Sequence, residues 1–260
     1  MTILSGKRGL IMGVANESSA AWGIAKQAYA LGAELAFTYQ IPAFEKRLAP
    51  LAESVKSDIT IQCDLSEVAS TKKAMNQLSK YWSKIDFVVH AVGFSDKQEL
   101  RGAYFNTTRE NFRQTMLISA FSFTELAQAS APMMPNGGAL LTLSYLGSVR
   151  TTPNYNVMGV AKAALEASVR YLAVDLGGRN IRVNGLSAGP MKTLAGAAIS
   201  GSRSIFRHSE KNAPLGRNPD IYEVGSAGCY LISDLASGVT GEIHYVDGGF
   251  NNVGVPQSDI

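Results

Sequence analysis

The sequence predicts an α/β fold built on one parallel, doubly wound sheet. Short apolar runs alternate along the chain with longer stretches of helical periodicity. Most of the apolar runs are continuous rather than alternating in polarity, which is typical of strands covered on both faces. The 260 residues contain no linker, internal repeat or low-complexity tract, and α/β folds of this length are commonly undivided. We therefore predict a single domain over residues 1–260.

The pattern places seven strands and six helices in strict alternation. The predicted strands are 8–14, 34–39, 58–62, 85–90, 138–144, 181–187 and 243–246. The predicted helices are 19–31, 43–56, 67–82, 108–130, 155–177 and 220–234. This alternation favours right-handed crossovers and a Rossmann-type sheet of about seven parallel strands with helices on both faces. In such sheets ligands bind beyond the carboxyl ends of the strands, where the strand order reverses.

The composition excludes several classes of protein. A chain with 46% hydrophobic and 17% charged residues is globular rather than disordered. Lys and Arg number 24 against 21 Asp and Glu, without a dense basic run, so no nucleic-acid partner is expected. No run approaches the roughly 20 apolar residues of a membrane helix, and the N-terminus lacks the apolar segment of a signal peptide. We expect a cytoplasmic protein with no membrane association.

The cysteines and histidines do not suggest a metal site. Cys63 and Cys229 are far apart and have no His or Cys at ligand spacing. The three histidines are likewise scattered. We expect two buried thiols in a reducing compartment and no bound metal.

The loop after the first strand, from Gly13 to Gly23, has features of a phosphate site. Glycine at the strand exit lets the backbone approach a ligand, Ser18 and Ser19 can cap the next helix, and Gly23 allows that helix to pack closely on the sheet. A helix N-terminus facing a strand end binds pyrophosphate readily. The spacing is longer than G-x-G-x-x-G, however, and an ordinary strand-to-helix turn explains the residues equally well.

Two further strand ends carry residues suited to a dinucleotide. Gln40 follows the second strand, where a carboxylate would ordinarily bind the adenosine ribose, and its neutral amide favours NADH over NADPH. Lys46 and Arg47, expected on the next helix, leave NADPH open. After the third strand, Asp64 can accept a hydrogen bond from an adenine amino group while Leu65 packs beside the ring. Asp64 could equally cap the following helix.

We expect the chemistry in the stretch from Ser144 to Lys162. It holds Tyr145 and Tyr155, ten residues apart, and Lys162 lies seven residues after the second tyrosine. Seven residues are close to two helical turns, so Tyr155 and Lys162 would lie within about 20° on one helix face. A phenol can hold a carbonyl oxygen that gains negative charge, and a nearby ammonium favours that charge and can donate to a sugar diol. A surface tyrosine with a solvated lysine is the alternative.

A loosely patterned segment follows the sixth strand. Gly196 and Gly201 interrupt apolar residues, which suits a lid, over about 191–213, that closes on an apolar ligand. Between residues 191 and 219, Glu210 is the single acid, and the bases are Lys192, Arg203, Arg207, Lys211 and Arg217. This imbalance favours an acidic protein partner. A solvated loop with incidental charge is an equal alternative.

The chain resembles the short-chain dehydrogenase/reductase superfamily and, within it, the bacterial enoyl-acyl-carrier-protein reductases, from about Gly6 to Gly249. The marks that carry the resemblance are Gly-x9-Gly from Gly13 to Gly23, Tyr145 with Tyr155 and Lys162 in Tyr-x6-Lys, Ala188-Gly-Pro-Met-Lys-Thr-Leu-Ala195, and Thr240-Gly-Glu-Ile-His-Tyr-Val-Asp-Gly-Gly249. Most of the superfamily uses Tyr-x3-Lys, but position 159 here is glycine. That difference separates reduction of a carbon–carbon double bond from ketone or alcohol chemistry.

The resemblance implies NADH-dependent reduction of the trans-2 double bond of enoyl thioesters on acyl carrier protein, in fatty-acid elongation. It implies three catalytic residues: Tyr155 stabilises the thioester oxygen, Lys162 holds the nicotinamide ribose and Tyr145 shapes the acyl pocket. It implies substrate binding near Ser95 and Tyr145. It implies that NADH/NAD+ is bound by Gly13, Ser19, Ala20, Gln40, Asp64, Leu65, Val92, Lys162, Met191, Lys192, Thr193, Leu194 and Ala195.

The resemblance also implies a homotetramer. The predicted helices 108–130 and 155–177 carry apolar residues over more than one face, and such helices need cover from another element, which subunit packing would supply. Three alternative functions stay open, of which a purely structural oligomer is the least favoured. A short-chain carbonyl reductase or alcohol dehydrogenase is disfavoured by the missing Tyr-x3-Lys, and a non-catalytic NAD-binding protein is disfavoured by the presence of both tyrosines and the lysine.

Overall fold

The computed structural model describes residues 2–197 and 199–255, except for the side chain of Ala195. Its strands are β1 (Arg8–Met12), β2 (Glu34–Tyr39), β3 (Thr60–Gln62), β4 (Phe87–His90), β5 (Gly138–Ser144), β6 (Ile181–Ala188) and β7 (Ile243–Val246). They form one parallel sheet in the order β3-β2-β1-β4-β5-β6-β7. The chain builds one half of the sheet outward from β1 and then returns to start the other half with β4. The strand order therefore reverses between β1 and β4.

Helices connect the strands and cover the sheet. They are α1 (Ala20–Ala30), α2 (Pro42–Ser54), α3 (Ser70–Leu78), α4 (Arg109–Met116), α5 (Ser122–Ser130), α6 (Asn156–Gly177), α7 (Leu194–Ala197), α8 (Ser202–Asn212) and α9 (Ile221–Ile232). Apolar residues of α1, α2 and α9 form one core with the sheet, and those of α3, α5 and α6 form another.

Neighbouring residues of a central strand contribute to these two different cores. In β1, Leu10 and Met12 belong to the core that contains α6, whereas Ile11 belongs to the core that contains α1. Both faces of the strand are thus buried, which explains why the strands have continuous apolar sequences. The predicted fold class, a doubly wound parallel sheet of seven strands with helices on both faces, is confirmed.

Several element boundaries differ from the prediction for local backbone reasons. The first strand ends at Met12 instead of residue 14, because Gly13 adopts a φ of +93°. The third helix begins at Ser70 instead of residue 67, since Ala69 before it has a φ of +62°. The predicted helix 108–130 is not uniform, because a π-helical segment, Leu117–Phe121, joins α4 to α5.

Gly23 allows a close contact, but with a helix and not with the sheet. A Cβ atom added to Gly23 would lie 2.1 Å from the carbonyl oxygen of Ile221, and one added to Gly225 of α9 would lie 2.4 Å from the carbonyl oxygen of Gly23. The prediction that Gly23 packs on the sheet is therefore wrong. The two glycines let α1 and α9 meet at backbone distance.

Neither a membrane helix nor a metal cluster was found in the part of the chain that the structure describes. None of its helices is both long and apolar enough to span a bilayer. Its His, Cys, Asp and Glu residues form no group of three or more that could hold a metal ion. The thiols of Cys63 and Cys229 are both free and buried, as predicted.

Candidate active site

A cavity of about 1340 Å³ opens beyond the carboxyl ends of the central strands. Its lining includes Gly13 after β1, Val92 after β4, Tyr145 after β5 and Pro190 after β6. It therefore spans the reversal of strand order between β1 and β4, which is where a doubly wound sheet binds its ligand. Residues 94–98 and helix α8 border the same cavity on its outer side.

The cavity brings together most of the predicted site residues. Those that line it are Gly13, Ser19, Ala20, Val92, Ser95, Tyr145, Tyr155, Lys162, Met191, Lys192, Thr193 and Leu194. Gln40, Asp64 and Leu65 are not part of its lining. Ala195 was also predicted, but its side chain lies outside the described residues.

The loop after β1 requires glycine at its first position. A Cβ atom on Gly13 would lie 2.1 Å from the carbonyl oxygen of Ala91, and the φ of +93° is one that other residues rarely adopt. Ser19 occupies the N-cap position of α1, but its hydroxyl donates to the carbonyl of Asn16 at 2.7 Å instead of capping the helix. Ser18 does not cap it either, so the prediction of a serine cap is wrong. The start of α1 faces the cavity without a side-chain cap.

Tyr155 precedes helix α6 and does not lie within it. It occupies the N-cap position with φ −103° and ψ −30°, and the helix begins at Asn156, whose φ is +40°. The prediction that Tyr155 and Lys162 share one face of a regular helix is therefore wrong. Tyr155 lies before the helix, and the positive φ of Asn156, the first helical residue, breaks the regular backbone between them. Both side chains nevertheless line the cavity.

The two tyrosines contact each other edge to face. Their ring centroids are 5.0 Å apart at an interplanar angle of 69°. Burial raises the pKa of Tyr155 far above its ordinary value, and electrostatic interactions with Tyr145 and Glu166 act in the same direction. Burial also raises the pKa of Tyr145, against a hydrogen bond with Thr152 that lowers it. Both phenols are therefore neutral hydrogen-bond donors at physiological pH.

Lys162 is a buried ammonium group. Its Nζ donates to the carbonyl of Leu143 at 2.7 Å, next to the last residue of β5. Burial lowers its pKa to about 8, and the negative charge of Glu166 opposes that shift. Because an ammonium has three N–H donors, two remain available to a ligand after the bond to Leu143.

Asparagines on either side of Tyr155 hold two borders of the cavity. Asn154, with φ +59°, donates from Nδ2 to the carbonyl of Ser200 in the predicted lid at 2.9 Å. Asn156 donates from Nδ2 to the carbonyl of Leu100 at 3.2 Å. Asparagine tolerates the left-handed backbone better than most residues. The backbone around Tyr155 is thus fixed to both borders.

The predicted lid, residues 191–213, contains two helices that the sequence analysis did not predict. Helix α8 begins directly after Gly201, whose φ is +77°. The ammonium of Lys192 lies over the ring of Phe206, 5.4 Å from its centroid, and so joins the start of the segment to α8. Arg203, Arg207 and Glu210 on α8 line the outer part of the cavity.

Comparison with known proteins identifies the family. The family model described as Enoyl-(Acyl carrier protein) reductase matches residues 13–251, which is most of the chain. The chain belongs to the enoyl-(acyl carrier protein) reductase family.

Named relatives and solved structures of this family match almost the whole chain. Enoyl-[acyl-carrier-protein] reductase [NADH] 2 of Rhizobium meliloti (strain 1021) is 59% identical, covering 98% of this chain and 95% of the relative. The crystal structure of FabI from Candidatus Liberibacter asiaticus is 54% identical with a TM-score of 0.97, covering 99% of this chain and 100% of that one. The reductase of Anaplasma phagocytophilum, solved in complex with NAD, is 50% identical with a TM-score of 0.94. The match covers 99% of this chain and 96% of that one.

In this family member, the sequence analysis missed a buried carboxylate beside the tyrosines. Glu166 is 5% exposed, and its Oε1 accepts hydrogen bonds from the hydroxyls of Ser144 and Ser148. Its position four residues after Lys162 on one predicted helix was the available signal, since residues at that spacing lie on the same side of a helix. The contacts with the two serines could not be read from spacing.

A second group that the analysis missed is His90 at the end of β4, which is fully buried. The hydroxyl of Ser122 donates to the carbonyl of Ile118 at 2.7 Å, so its oxygen accepts from Nε2–H of His90 at 2.9 Å. Nδ1 is hydrogen-bonded to the hydroxyl of Thr142 at 3.0 Å, and the same hydroxyl lies 3.2 Å from the carbonyl oxygen of His90. Burial, helped by the charge of Lys162, lowers the pKa of His90 to about 3. The imidazole is neutral and fully hydrogen-bonded.

Gln40 and Asp64 form a pair outside the cavity. Nε2 of Gln40 donates to Oδ2 of Asp64 at 3.1 Å, across the carboxyl ends of β2 and β3. The other oxygen of Asp64 accepts from the backbone and hydroxyl of Ser66. The alternative that Asp64 caps a helix is wrong, because α3 begins at Ser70. Leu65 is buried in the core that contains α3.

Ser95 lies on the cavity wall, but its hydroxyl is engaged within the protein. It accepts from the hydroxyl of Thr115 at 2.9 Å and from Nδ2 of Asn111 at 3.2 Å. A ligand near Ser95 would therefore meet the wall mainly through backbone and apolar atoms, with the serine fixing the loop that follows β4.

Proposed function

We propose that this chain is an NADH-dependent enoyl-[acyl-carrier-protein] reductase, which reduces the trans-2 double bond of enoyl thioesters in fatty-acid elongation. The observation that carries the proposal is the presence of Tyr145, Tyr155 and Lys162 in one cavity at the reversal of strand order. Family membership and relatives whose names specify NADH support it.

The residues of the cavity fit a dinucleotide. Gly13 and Ala91, whose backbones meet closely at the strand exit, both line the cavity, and the uncapped start of α1 offers amide groups to an anionic pyrophosphate. When bound, the reduced nicotinamide would supply a hydride to the β-carbon of the substrate, and a proton from Tyr155 or from a water-linked chain would reach the α-carbon to complete the reduction. We propose the binding set Gly13, Ser19, Ala20, Gln40, Asp64, Leu65, Val92, Lys162 and 191–195.

Tyr155 acts on the thioester oxygen. Negative charge develops on that oxygen when hydride reaches the β-carbon, and a phenol that burial keeps protonated can donate a hydrogen bond to it. The edge of the Tyr145 ring packs against Tyr155 and restricts its orientation, while also bordering the acyl pocket with Ser95. Preorganised donors of this kind lower the barrier because they need no rearrangement during the reaction.

Lys162 holds the nicotinamide ribose. Its bond to the carbonyl of Leu143 fixes the ammonium and leaves two donors for the ribose hydroxyls. The positive charge also favours the developing negative charge on the substrate. These two contributions predict that loss of the ammonium weakens both cofactor binding and turnover.

The Gln40 amide favours NADH over NADPH. One N–H of its Nε2 donates to Asp64, its oxygen can accept from a ribose hydroxyl, and the neutral amide offers no positive charge to a 2′-phosphate. The carboxylate of Asp64 beside it would repel that phosphate. Lys46 and Arg47 are on α2, as predicted, and are the charges that could offset this repulsion.

Acyl carrier protein, an acidic partner, would approach the basic segment of the lid, where α8 carries Arg203, Arg207 and Lys211. A cytoplasmic location fits the two free thiols.

We also propose a single catalytic domain assembled as a homotetramer, because α4 to α6 leave apolar side chains exposed, including Phe112, Phe121, Tyr171 and Val174.

The experiment that tests this function follows NADH absorbance with a crotonyl thioester and, separately, with a β-ketoacyl thioester. We expect NADH oxidation with the crotonyl substrate alone. Oxidation with only the β-ketoacyl substrate would indicate a carbonyl reductase. NADH binding without oxidation of either thioester would indicate a non-catalytic binding protein.

A further inference from the structure

Glu166 is a buried carboxylate whose role the proposed reaction has not used. It is 5% exposed, and both hydroxyls that donate to it, from Ser144 and Ser148, bond to the same oxygen, Oε1. Among the ion pairs of the described residues it has no partner within 4.0 Å. Burying a carboxylate without a paired cation is costly.

Glu166 is one of the buried residues of α6 and does not itself line the cavity. Lys162 lies one helical turn before it, on the same side of the helix. The titratable groups that the surrounding elements direct toward this region are Lys162, Tyr155, Tyr145 and His90, together with Tyr245 of β7 and its neighbours Asp247 and Arg150. Of these, Lys162 and Tyr155 are the two proton-bearing groups of the proposed mechanism.

A negative charge on Glu166 raises the pKa of both Lys162 and Tyr155. It favours the ammonium of Lys162, whose pKa burial alone would lower further. It disfavours the phenolate of Tyr155, whose pKa burial already raises. Both groups are thereby kept in the form that carries the proton, although one is cationic and the other neutral.

The serines give the same carboxylate a mechanical role. Ser144 is the last residue of β5, directly between Leu143, whose carbonyl accepts from Lys162, and Tyr145. Ser148 lies in the turn that follows. Hydrogen bonds from both hydroxyls to Glu166 fix the exit of β5 against α6, which holds the Leu143 carbonyl and Tyr145 in register with Lys162.

We propose that Glu166 is a positioning residue with two roles. It keeps Lys162 and Tyr155 protonated, and it fixes the exit of β5 through hydrogen bonds from Ser144 and Ser148. This inference rests on the proposed function and deepens it by naming what maintains its two proton donors.

The test is Glu166→Gln, which keeps the shape and the acceptor oxygen but removes the charge. NADH affinity by cofactor fluorescence, and kcat/KM with a crotonyl thioester, are measured from pH 6 to pH 10. We expect the alkaline loss of both to move to lower pH by roughly 0.5–1 unit, as loss of a nearby charge implies. At pH 6, where Lys162 remains protonated in either protein, we expect nearly equal NADH affinity.

Two matched variants separate charge from structure. Glu166→Asp keeps the carboxylate, so the alkaline limb of its pH profile, where NADH affinity and kcat/KM fall, should lie close to that of the wild type. Ser148→Ala removes one hydroxyl donor but leaves the charge, so it should not shift that limb. If Glu166→Gln fails to fold, Glu166→Met, an apolar replacement of similar volume, carries the same expectation. A uniform loss of NADH affinity at every pH, or an unshifted limb in a folded variant, would overturn the inference.

The NADH measurement also separates this inference from the proposed function. If the wild-type protein fails to oxidise NADH with either thioester, the proposed function is wrong. In that case a shifted pH dependence of NADH binding in Glu166→Gln still supports the role of Glu166 toward Lys162, and an unshifted one refutes it.

Discussion

Tyr155 and Lys162 are both buried, but the roles proposed for them differ, so their substitutions should separate binding from turnover. Tyr155→Phe removes the donor to the thioester oxygen and leaves the ring contact with Tyr145 in place. We expect turnover to fall about 10²–10³-fold, the cost of losing one such donor, while NADH affinity changes little. Steady-state kinetics and fluorescence titration test this. A large loss of NADH affinity would mean that the phenol serves the cofactor instead.

Lys162→Ala should lower NADH affinity as well as turnover, since it removes the ammonium that would donate to the ribose hydroxyls. The bond to the Leu143 carbonyl is lost as well. The same fluorescence titration measures the dissociation constant, and the Tyr155→Phe protein serves as the comparison. Normal NADH binding by Lys162→Ala would refute the ribose-anchoring role.

His90 should make the folded protein less stable as the pH falls. The folded protein holds this imidazole neutral, with a pKa lowered to about 3, whereas in the unfolded chain it takes up a proton near its ordinary pKa of 6.5. As pH falls below that value, the unfolded state binds a proton that the folded state does not. The free energy of unfolding should therefore drop by about 1.4 kcal/mol per pH unit from this residue alone.

Urea unfolding at several pH values between 7 and 4 tests the contribution of His90. Glutamine reproduces a donor and an acceptor but does not titrate, so His90→Gln is the control. We expect His90→Gln to be less stable at pH 7 but to lose less stability on acidification. Equal acid dependence in both proteins would assign it to other groups.

At the level of residues, the sequence predicted most of the side chains that line the cavity but missed the buried groups that contact them. The tyrosines and the lysine could be recognised because they lie within one short stretch. Glu166, His90, Asn154 and Asn156 act through contacts between distant segments, such as the bond from Asn154 to Ser200. Spacing along the chain carries no signal for such contacts.

At the level of elements, the contact between α1 and α9 gives a direct test of packing. A Cβ atom on Gly225 would lie 2.4 Å from the carbonyl oxygen of Gly23, so the two helix backbones must separate to accept it. We expect Gly225→Ala to lower the free energy of unfolding by about 1–3 kcal/mol. Chemical denaturation measures this difference.

The control is Gly177→Ala at the end of α6, where an added Cβ atom meets nothing within 4 Å. That substitution should be neutral or stabilise by up to about 1 kcal/mol, because alanine is the better helix former. If both variants lose the same stability, the close contact between α1 and α9 is not the cause.

Element types could be predicted more fully than element boundaries. The strands have clear apolar runs because they are buried on both faces. The ends of strands and helices depend on single backbone conformations, such as the positive φ of Ala69 before α3. The π-helical segment between α4 and α5 cannot be distinguished from regular helix by periodicity, since it changes the register by only one residue.

At the level of the whole molecule, the exposed apolar side chains of α6 are where assembly can be tested. Tyr171 is 76% exposed and Val174 is 82% exposed. If these residues lie between subunits of the proposed homotetramer, Val174→Asp should reduce the mass measured by light scattering at micromolar concentration, because a charge would be buried without a partner. Val68→Asp is the matched control, because Val68 is 91% exposed at a turn before α3.

A wild-type protein that is a stable monomer would remove the assembly proposal. An equal effect of Val68→Asp would show that added surface charge, and not the face of α6, lowers the mass.

The position of the cavity could be predicted from the fold alone, because the reversal of strand order and the carboxyl ends of the strands define it. Its full extent could not. Gln40 and Asp64 stand at strand ends as expected, yet the cavity does not reach them. The outer border depends on α8, whose placement follows from contacts such as that between Lys192 and Phe206.

The two asparagines around Tyr155 set a limit on how freely this pocket can be redesigned. Asn154 connects the tyrosine to one border of the cavity and Asn156 connects it to another. A substitution that widens either border for a bulkier acyl chain would therefore also displace the phenol of Tyr155. We expect chain-length specificity and catalytic rate to change together in evolved variants, unless the altered border is anchored to another part of the protein.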